Sequence, residues 1–599
     1  MMKRRYLYSA AALLLCAAAS AQNLNPTVQV TNAYEGRALD VEKQNVAMAV
    51  PDSLLKFDWD FGYSVFDNPY KGAYEFSPYL IEMRPDPTVY DGKKFYLRAG
   101  AGYSLHPQLQ AVWSPEIKGP WGLTVYDDLK GYWGDWYDMT PVSIGSGTYR
   151  TSAGDTYKGA DLANKLGFLL RRDGAKTVLS LDGKFKTLFM QEDSILYSDD
   201  PRYATALGAS GTFRVRSAAP SDFAYDFSLN YDWTGDALEA GVYVPLDHSE
   251  HELGAKASFG YSFALHNSVA LEALYDRTMY SGQSSLSSST YGVSLASDRV
   301  DVAPAYEFSS PRFRLHAGIR YSQVWTGTDT EETDSPDYKG RNLYPDFNVS
   351  FVAVKDALVI GAALTGGQKF NTYRSFLESN HHFPVYLSDS YPYNLADASV
   401  NTFDASLSAG GSAFSRLQYS VKAGYARWYN APLDGMLLYS RVSGTCLIEH
   451  CSHPLYYMTN YDRMYATADV SWHSDRLDVE GALTVQKSQF RSVTTALSLP
   501  RFQGSAAMTY NWNRRIFAGI SAEWMTKRYY DDEHALPLYN DYRLETLGWV
   551  DLGVNLEYRT SRKFSLWAEG GNLLGQPVMR NLLFVEKGPY FTVGICLNL

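Results

Sequence analysis

From Phe591 to Leu599 every second residue is apolar, and the residues between, Thr592, Gly594, Cys596 and Asn598, are small or polar. That alternation is a β-strand with one apolar face. At the edge of an open sheet such a strand invites aggregation. In a closed transmembrane barrel it is the seam that pairs with the first strand and meets lipid on alternate residues.

The same pattern recurs along the chain as long alternating strands joined by short polar turns. Met464, Ala466, Ala468, Val470 and Trp472 share one face; after Ser474-Asp475, Leu477, Val479, Gly481, Leu483 and Val485 share another. Phe223, Tyr225, Phe227, Leu229, Tyr231 and Trp233 oppose Ala224, Asp226, Ser228, Asn230 and Asp232, and Val550 to Tyr558 repeats the scheme. Strands of this length reach across hydrocarbon, which takes about 9 to 11 residues.

Short turns are read at 114–120, 172–175, 217–222, 266–267, 309–311, 355–356, 415–416, 474–475, 513–515 and 560–563. Ten hairpins, the closing strand from Tyr590 and a first strand between Phe57 and Ile81 predict an all-β antiparallel barrel of about 22 strands, within a range of about 16 to 22. Aromatic residues make up 15% of the chain, 47 of them Tyr, while mean hydropathy is only −0.28. A barrel pairs these properties, because half of each strand is polar and Tyr and Trp gather at the interfaces. A secreted sandwich or propeller shares the composition, yet not so many long strands.

The N-terminus indicates export. Lys3, Arg4 and Arg5 precede an apolar run from Leu7 to Ala19, and Ala19-Ser20-Ala21 is a cleavage signal that predicts a mature start at Gln22. Leu15 before Cys16 argues against a lipoprotein. No later window is apolar enough for a spanning helix, so the expected location is the outer membrane of a Gram-negative bacterium.

Brief turns belong on the periplasmic side and long loops outside. The long segments are 134–159, 235–251, 326–341, 367–401, 429–460, 527–545 and 573–588, several of them acidic. The net charge of −11, without a basic cluster interleaved with aromatics, argues against nucleic acid. Lumenal positions are assigned to Asp182, Lys184, Lys186, Arg314, His316, Arg320, Asp478 and Glu480.

Residues 95 to 113 hold one apolar phase for about twenty residues, with Tyr96-Leu97-Arg98-Ala99-Gly100-Ala101-Gly102 at their start. This stretch resembles the first long barrel strand of the TonB-dependent-receptor-like proteins of the Bacteroidota. Ala568-Glu569-Gly570-Gly571-Asn572-Leu573-Leu574-Gly575 is similar to the Asn-Leu-Phe segment before the last loop of such receptors, with Leu574 in place of Phe, and Asn25 to Val30 is similar to their mature start. The resemblance implies an outer-membrane barrel.

The departure from that family is at the front. A receptor of this type carries a folded plug and an energy-coupling box, whereas only 71 residues, Gln22 to Gly92, precede the first confident strand. The reading is therefore a signal peptide (1–21), a periplasmic extension (22–50), an aromatic, Pro-rich lead-in (51–92) and a plug-less barrel (93–599), with no TonB coupling expected.

No nucleophile elbow, zinc-protease helix or phosphate loop is present, so neither an enzyme nor a cofactor is expected. Cys446, His450, Cys451 and His453 crowd one long segment. A Cys446–Cys451 disulfide is the preferred reading in an oxidising compartment; free thiols and a metal site built from the four residues are the alternatives. Tyr373, Phe376, His381, His382, Phe383, Tyr386, Tyr391 and Tyr393 form an aromatic loop, read as a self-packed cap or as a partner or ligand loop.

Two functions suit such a chain. The preferred one is a membrane-embedded scaffold or accessory subunit, surrounded by outer-membrane lipid, that docks lipoproteins, other barrels, or assembly and secretion machinery. The alternative is a transporter or porin that binds or passes a solute.

Overall fold

The structure is a computed structural model. It describes residues 94–599 apart from 146–147, 193–201, 219–222, 240–246, 287–288, 327–339, 380–394, 396, 415, 439–451, 492–497, 533–541, 582–584 and 587. The signal peptide, the extension and the lead-in lie outside the described residues.

The strands are β1 (Phe95–Tyr103), β2 (Gln108–Trp113), β3 (Trp121–Gly145), β4 (Thr148–Asp173), β5 (Thr177–Glu192), β6 (Arg202–Ser217), β7 (Phe223–Glu239) and β8 (Asp247–Ala264). Next come β9 (Asn267–Leu286), β10 (Ser289–Ser309), β11 (Phe313–Thr326), β12 (Gly340–Val354), β13 (Leu358–Phe370), β14 (Ala398–Ala413), β15 (Leu417–Leu438) and β16 (Ser452–His473). The last are β17 (Leu477–Phe490), β18 (Phe502–Trp512), β19 (Ile516–Met525), β20 (Tyr529–Asp532), β21 (Tyr542–Glu545), β22 (Trp549–Arg559), β23 (Phe564–Gly571) and β24 (Tyr590–Asn598). One described helix, α1 (Tyr373–Ser379), lies between β13 and β14.

Each strand pairs antiparallel with the next, except that β20 and β21 form a side hairpin and β19 pairs directly with β22. β24 pairs antiparallel with β1, which closes a ring of 22 strands. Closure leaves the ring no exposed edge and satisfies its backbone internally, as a hydrocarbon environment demands. At the seam the backbone N–H groups of Lys94 and Phe95 donate to the Leu599 carbonyl at 2.6 and 3.0 Å. Glycine is required here: a Cβ on Gly102 would collide with the Phe591 carbonyl, and one on Gly594 with the Ala99 carbonyl.

The outer face is apolar. On β24, Phe591, Val593 and Ile595 are 50%, 49% and 40% exposed, and Phe223, Phe227, Leu229 and Tyr231 on β7 are exposed in the same way. These are the faces the alternation predicts, and no helix among the described residues is long and apolar enough to cross a membrane.

All ten predicted short turns separate consecutive strands. Asn513 and Arg514, both with positive φ, are the central residues of the turn between β18 and β19, closed by the Arg515 N–H donating to the Trp512 carbonyl at 3.1 Å, the backbone hand that matches strand twist.

The first strand needs correcting. Residues 95–113 are two strands, turning at 104–107 where Ser104 and Leu105 have positive φ. Phe95 faces Trp113 and Leu97 faces Ala111, so odd residues point outward on both strands. The turn preserves parity, and alternation alone cannot separate one long strand from this hairpin; Pro107 was the overlooked punctuation. With β1 as the first strand the ring reaches 22 without a strand between Phe57 and Ile81, a segment outside the described residues.

Several segments read as loops are strand as well. β3 and β4, at 25 and 26 residues, stay paired through most of 134–159, and β15 and β16 pair through much of 429–460. These ribbons outrun the hydrocarbon band, and beyond it ladder pairing no longer requires an apolar face.

Candidate lumenal site

The inward face mixes charged and polar residues with buried aromatic ones such as Tyr280 and Trp136, and two inward-folded loops occupy part of the lumen. The first carries α1. Thr372 and Ser375 cap it reciprocally: the Ser375 N–H donates to Thr372 Oγ1 and the Thr372 N–H to Ser375 Oγ, each at 3.1 Å, the geometry of a capping box. The N–H groups of Tyr373 and Arg374 donate to the buried Glu250 carboxylate of β8 at 2.6 and 3.0 Å. Arg374 grips Glu252 through two bonds of 2.7 and 3.0 Å and reaches Asp232 of β7 at 3.2 Å. Lys186 Nζ of β5 lies 2.6 Å from the Glu378 carboxylate.

Burial would raise the Glu378 carboxyl, but Lys186 and Arg374 outweigh it and hold the group below its ordinary range. Tyr373 and Phe376 are fully buried against Tyr280, Leu295 and Leu395. Burying Phe376 alone contributes about 1.5–3 kcal/mol relative to leaving it exposed. α1 is thus bolted to the barrel wall by both apolar and ionic contacts.

The second inward loop joins β23 to β24. Asn572, with φ of 44°, starts it by bonding Gln576 in both directions, at 2.8 and 3.1 Å. Arg580 pairs with Glu523 of β19, one contact being 2.7 Å, and Trp549 Nε1 donates to the Met579 carbonyl at 3.1 Å. The loop meets α1 where Asn581 donates to the Ser379 carbonyl at 3.4 Å.

Among the described residues, two cavities lie beside these loops. One of about 1210 Å³ reaches the short-turn rim at Arg312 and Lys355 and is lined by Asp469, Glu480, Glu523, Asp551 and Glu569. The other, of about 520 Å³, lies against β3, β4 and β5 beside α1. Between β9 and β12 the wall carries an ionic network. Arg320 contacts Glu272 at 3.2 Å and Asp346 at 3.4 Å, His316 lies 3.4 Å from Glu307 and 3.5 Å from Asp346, and Arg299 pairs with Asp276. Such a network costs desolvation and fixes register and shape more than it adds stability.

The structure therefore brings several expected lumenal residues into use. Lys186 holds α1, Lys184 pairs with Asp182 at 3.0 Å, Glu480 lines the larger cavity, and Arg320 and His316 belong to the network. Of the aromatic loop, Tyr373 and Phe376 pack into the wall, whereas His381, His382, Phe383, Tyr386, Tyr391 and Tyr393 lie outside the described residues. So do Cys446, His450 and Cys451; His453 falls on β16, where only its backbone is described. Among the described residues no group of three or more His, Cys, Asp or Glu is placed to hold a metal ion. Sequence reading missed Glu250, Glu252, Asp232 and Arg374. The inward parity of Asp232, Glu250 and Glu252 was legible, but not that α1, with Arg374, would lie across β7 and β8.

The ring, its apolar outer face and its loop-filled lumen define a closed transmembrane β-barrel of 22 strands. No protein-family model matches the chain, and no curated protein matches it significantly in sequence. Solved structures match it in fold. The ferric-catecholate import receptor Fiu of E. coli K12 superposes with a TM-score of 0.59 at 11% identity, covering 85% of this chain and 82% of the receptor. The FrpB iron transporter of Neisseria meningitidis gives 0.62 at 9% identity over 85% and 82%. The copper transporter OprC gives 0.59 at 11% identity over 85% and 80%. The family resemblance in the sequence is thereby supported at the level of fold.

Proposed function

We propose that the protein is an outer-membrane barrel that binds or passes a solute through its lumen. The observation that carries this reading is the pair of cavities inside the ring, each with charged residues in a mixed polar and apolar lining, left between inward loops that are held to the wall by ion pairs and hydrogen bonds. A barrel that only docked partners from its rim has no use for a polar, partly open interior. Its structural neighbours bear the names of transporters, which agrees with this reading and favours it over the scaffold expected from sequence.

The barrel is read as plug-less and uncoupled from TonB, its lumen closed by the α1 loop and the loop after β23, in an outer membrane reached by cleavage after Ala21. Proteoliposome uptake of labelled small solutes, alongside planar-bilayer conductance, tests the proposal. Uptake above protein-free liposomes is expected, with low steady conductance. Impermeability to every solute, together with stoichiometric lipoproteins or other barrels in a pull-down from detergent-solubilised outer membranes, would overturn it in favour of the scaffold.

A further inference from the structure

The smaller cavity is lined by two opposite charges, Asp128 and Lys165, that form no direct ion pair with each other. Asp128 of β3 is only 7% exposed and lines this cavity, yet its Oδ1 is buried with no hydrogen-bond partner among the described residues. Lys165 of β4 is its register partner and lines the same cavity. No carboxylate lies within ion-pairing distance of Lys165 among the described residues; Asp128 attracts it only across a longer gap, and Asp128 is itself attracted by Lys130 on the same cavity wall. Its nearest ring, Tyr126, has its centroid 6.0 Å from the ammonium.

Lys165 has a second neighbour of its own sign. It stands directly across from Lys186 of β5, an arrangement that is destabilising without a counter-charge. Lys186 is engaged by Glu378 at 2.6 Å and Lys184 by Asp182 at 3.0 Å. Of these three lysines Lys165 is the one without a direct ion pair among the described residues, and Asp128 is a buried carboxylate with one oxygen left without a hydrogen bond. A ligand anion alone would answer Lys165 and leave Asp128; a ligand cation alone would do the reverse.

We propose that this cavity binds a zwitterion of the α-amino-acid type, its ammonium on Asp128 and its carboxylate on Lys165. Facing residues of an antiparallel pair lie roughly 4.5–5.5 Å apart at Cα, so the two charged groups serve the same part of the cavity and are within reach of one small molecule. Trp136 and Tyr132, packed edge to face at 5.5 Å, offer an apolar wall for the ligand's side chain. The cavity of about 520 Å³ leaves room for that side chain or for a second residue. This assignment rests on the solute reading above and names the solute class.

Equilibrium dialysis of the full-length protein in detergent tests it, with millimolar glycine, L-alanine, L-leucine, L-glutamine and glycylglycine as probes and acetate and methylamine as single-charge controls. At least one zwitterion is expected to bind while both controls do not. Asp128→Asn and Lys165→Gln are each expected to weaken binding about tenfold or more, a factor equivalent to about 1.4 kcal/mol, with heat-modifiable mobility retained. If either variant fails to fold, the comparison of zwitterion with single-charge control in the unaltered protein still decides. Absence of binding by all five zwitterions, equal binding of acetate or methylamine, or full affinity in both folded variants would overturn the site. Liposome uptake without such binding refutes this site and spares the solute reading; binding without uptake does the opposite.

Discussion

The Arg98 guanidinium on β1 lies 3.2 Å from the Glu569 carboxylate on β23 and 4.0 Å from the centroid of the Trp567 ring. β1 and β23 are the two neighbours of β24, so this contact bridges the closing strand from both sides. Gly102 and Gly594 let the backbones approach at the same seam. Gly102→Val is expected to block closure, seen as loss of the fast-migrating folded band in unheated gels. Arg98→Ala should leave that band but lower its melting temperature.

Lipid-facing positions should respond to charge according to depth. Val554 sits mid-way along β22 and is exposed on the outer face, and Arg there should cost about 2–4 kcal/mol. Val479 is only the third residue of β17, near the short-turn interface, and Val479→Arg should cost less. Asn555→Asp, on the lumenal side, should be tolerated. Urea titration of folded barrels in lipid measures all three.

Docking of α1 closes one side of the lumen. Arg374→Ala removes three charge-assisted bonds to Glu252 and Asp232, each bond of that kind being worth about 1.5–3 kcal/mol. Higher bilayer conductance and faster proteolysis of the α1 loop are expected.

Acid should loosen the same contact. The Glu378 carboxyl is held below its ordinary range in the folded protein, so its contribution is complete above the normal glutamate pKa and disappears as pH falls through the depressed value. Conductance should stay flat from neutral pH down to the glutamate range and rise only below it. Glu378→Gln should raise conductance at neutral pH and remove that acid dependence.

A Cys446–Cys451 staple predicts that a membrane-impermeant alkylating reagent labels neither residue on intact cells until a reductant is added, with chelators inert. Labelling released by a chelator would favour the metal alternative.

The fold was legible because a hydrocarbon slab imposes a strict period of two, and that period survives in Phe223 to Trp233 and in Phe591 to Leu599. It fails where two different structures share parity, as at 95–113, and where strands leave the slab, as in β3 and β4. The lumen was half legible. Inward positions such as Lys186 and Asp182 followed from alternation, but the partners Glu378 and Glu250 depend on how loops fold back across strands far away in the chain. Asp128 and Lys165 gave no local signal at all, since their significance lies in what they do not touch.

The seam also has a consequence in time. Arg98 and Glu569 are separated by 471 positions, and β1 cannot be paired on both sides until β24 has arrived. During export the chain therefore carries two open strand edges while twenty-one strands wait for the last, a state of high contact order and high aggregation hazard. Ring closure, rather than the formation of any one hairpin, is the step that removes both open edges at once.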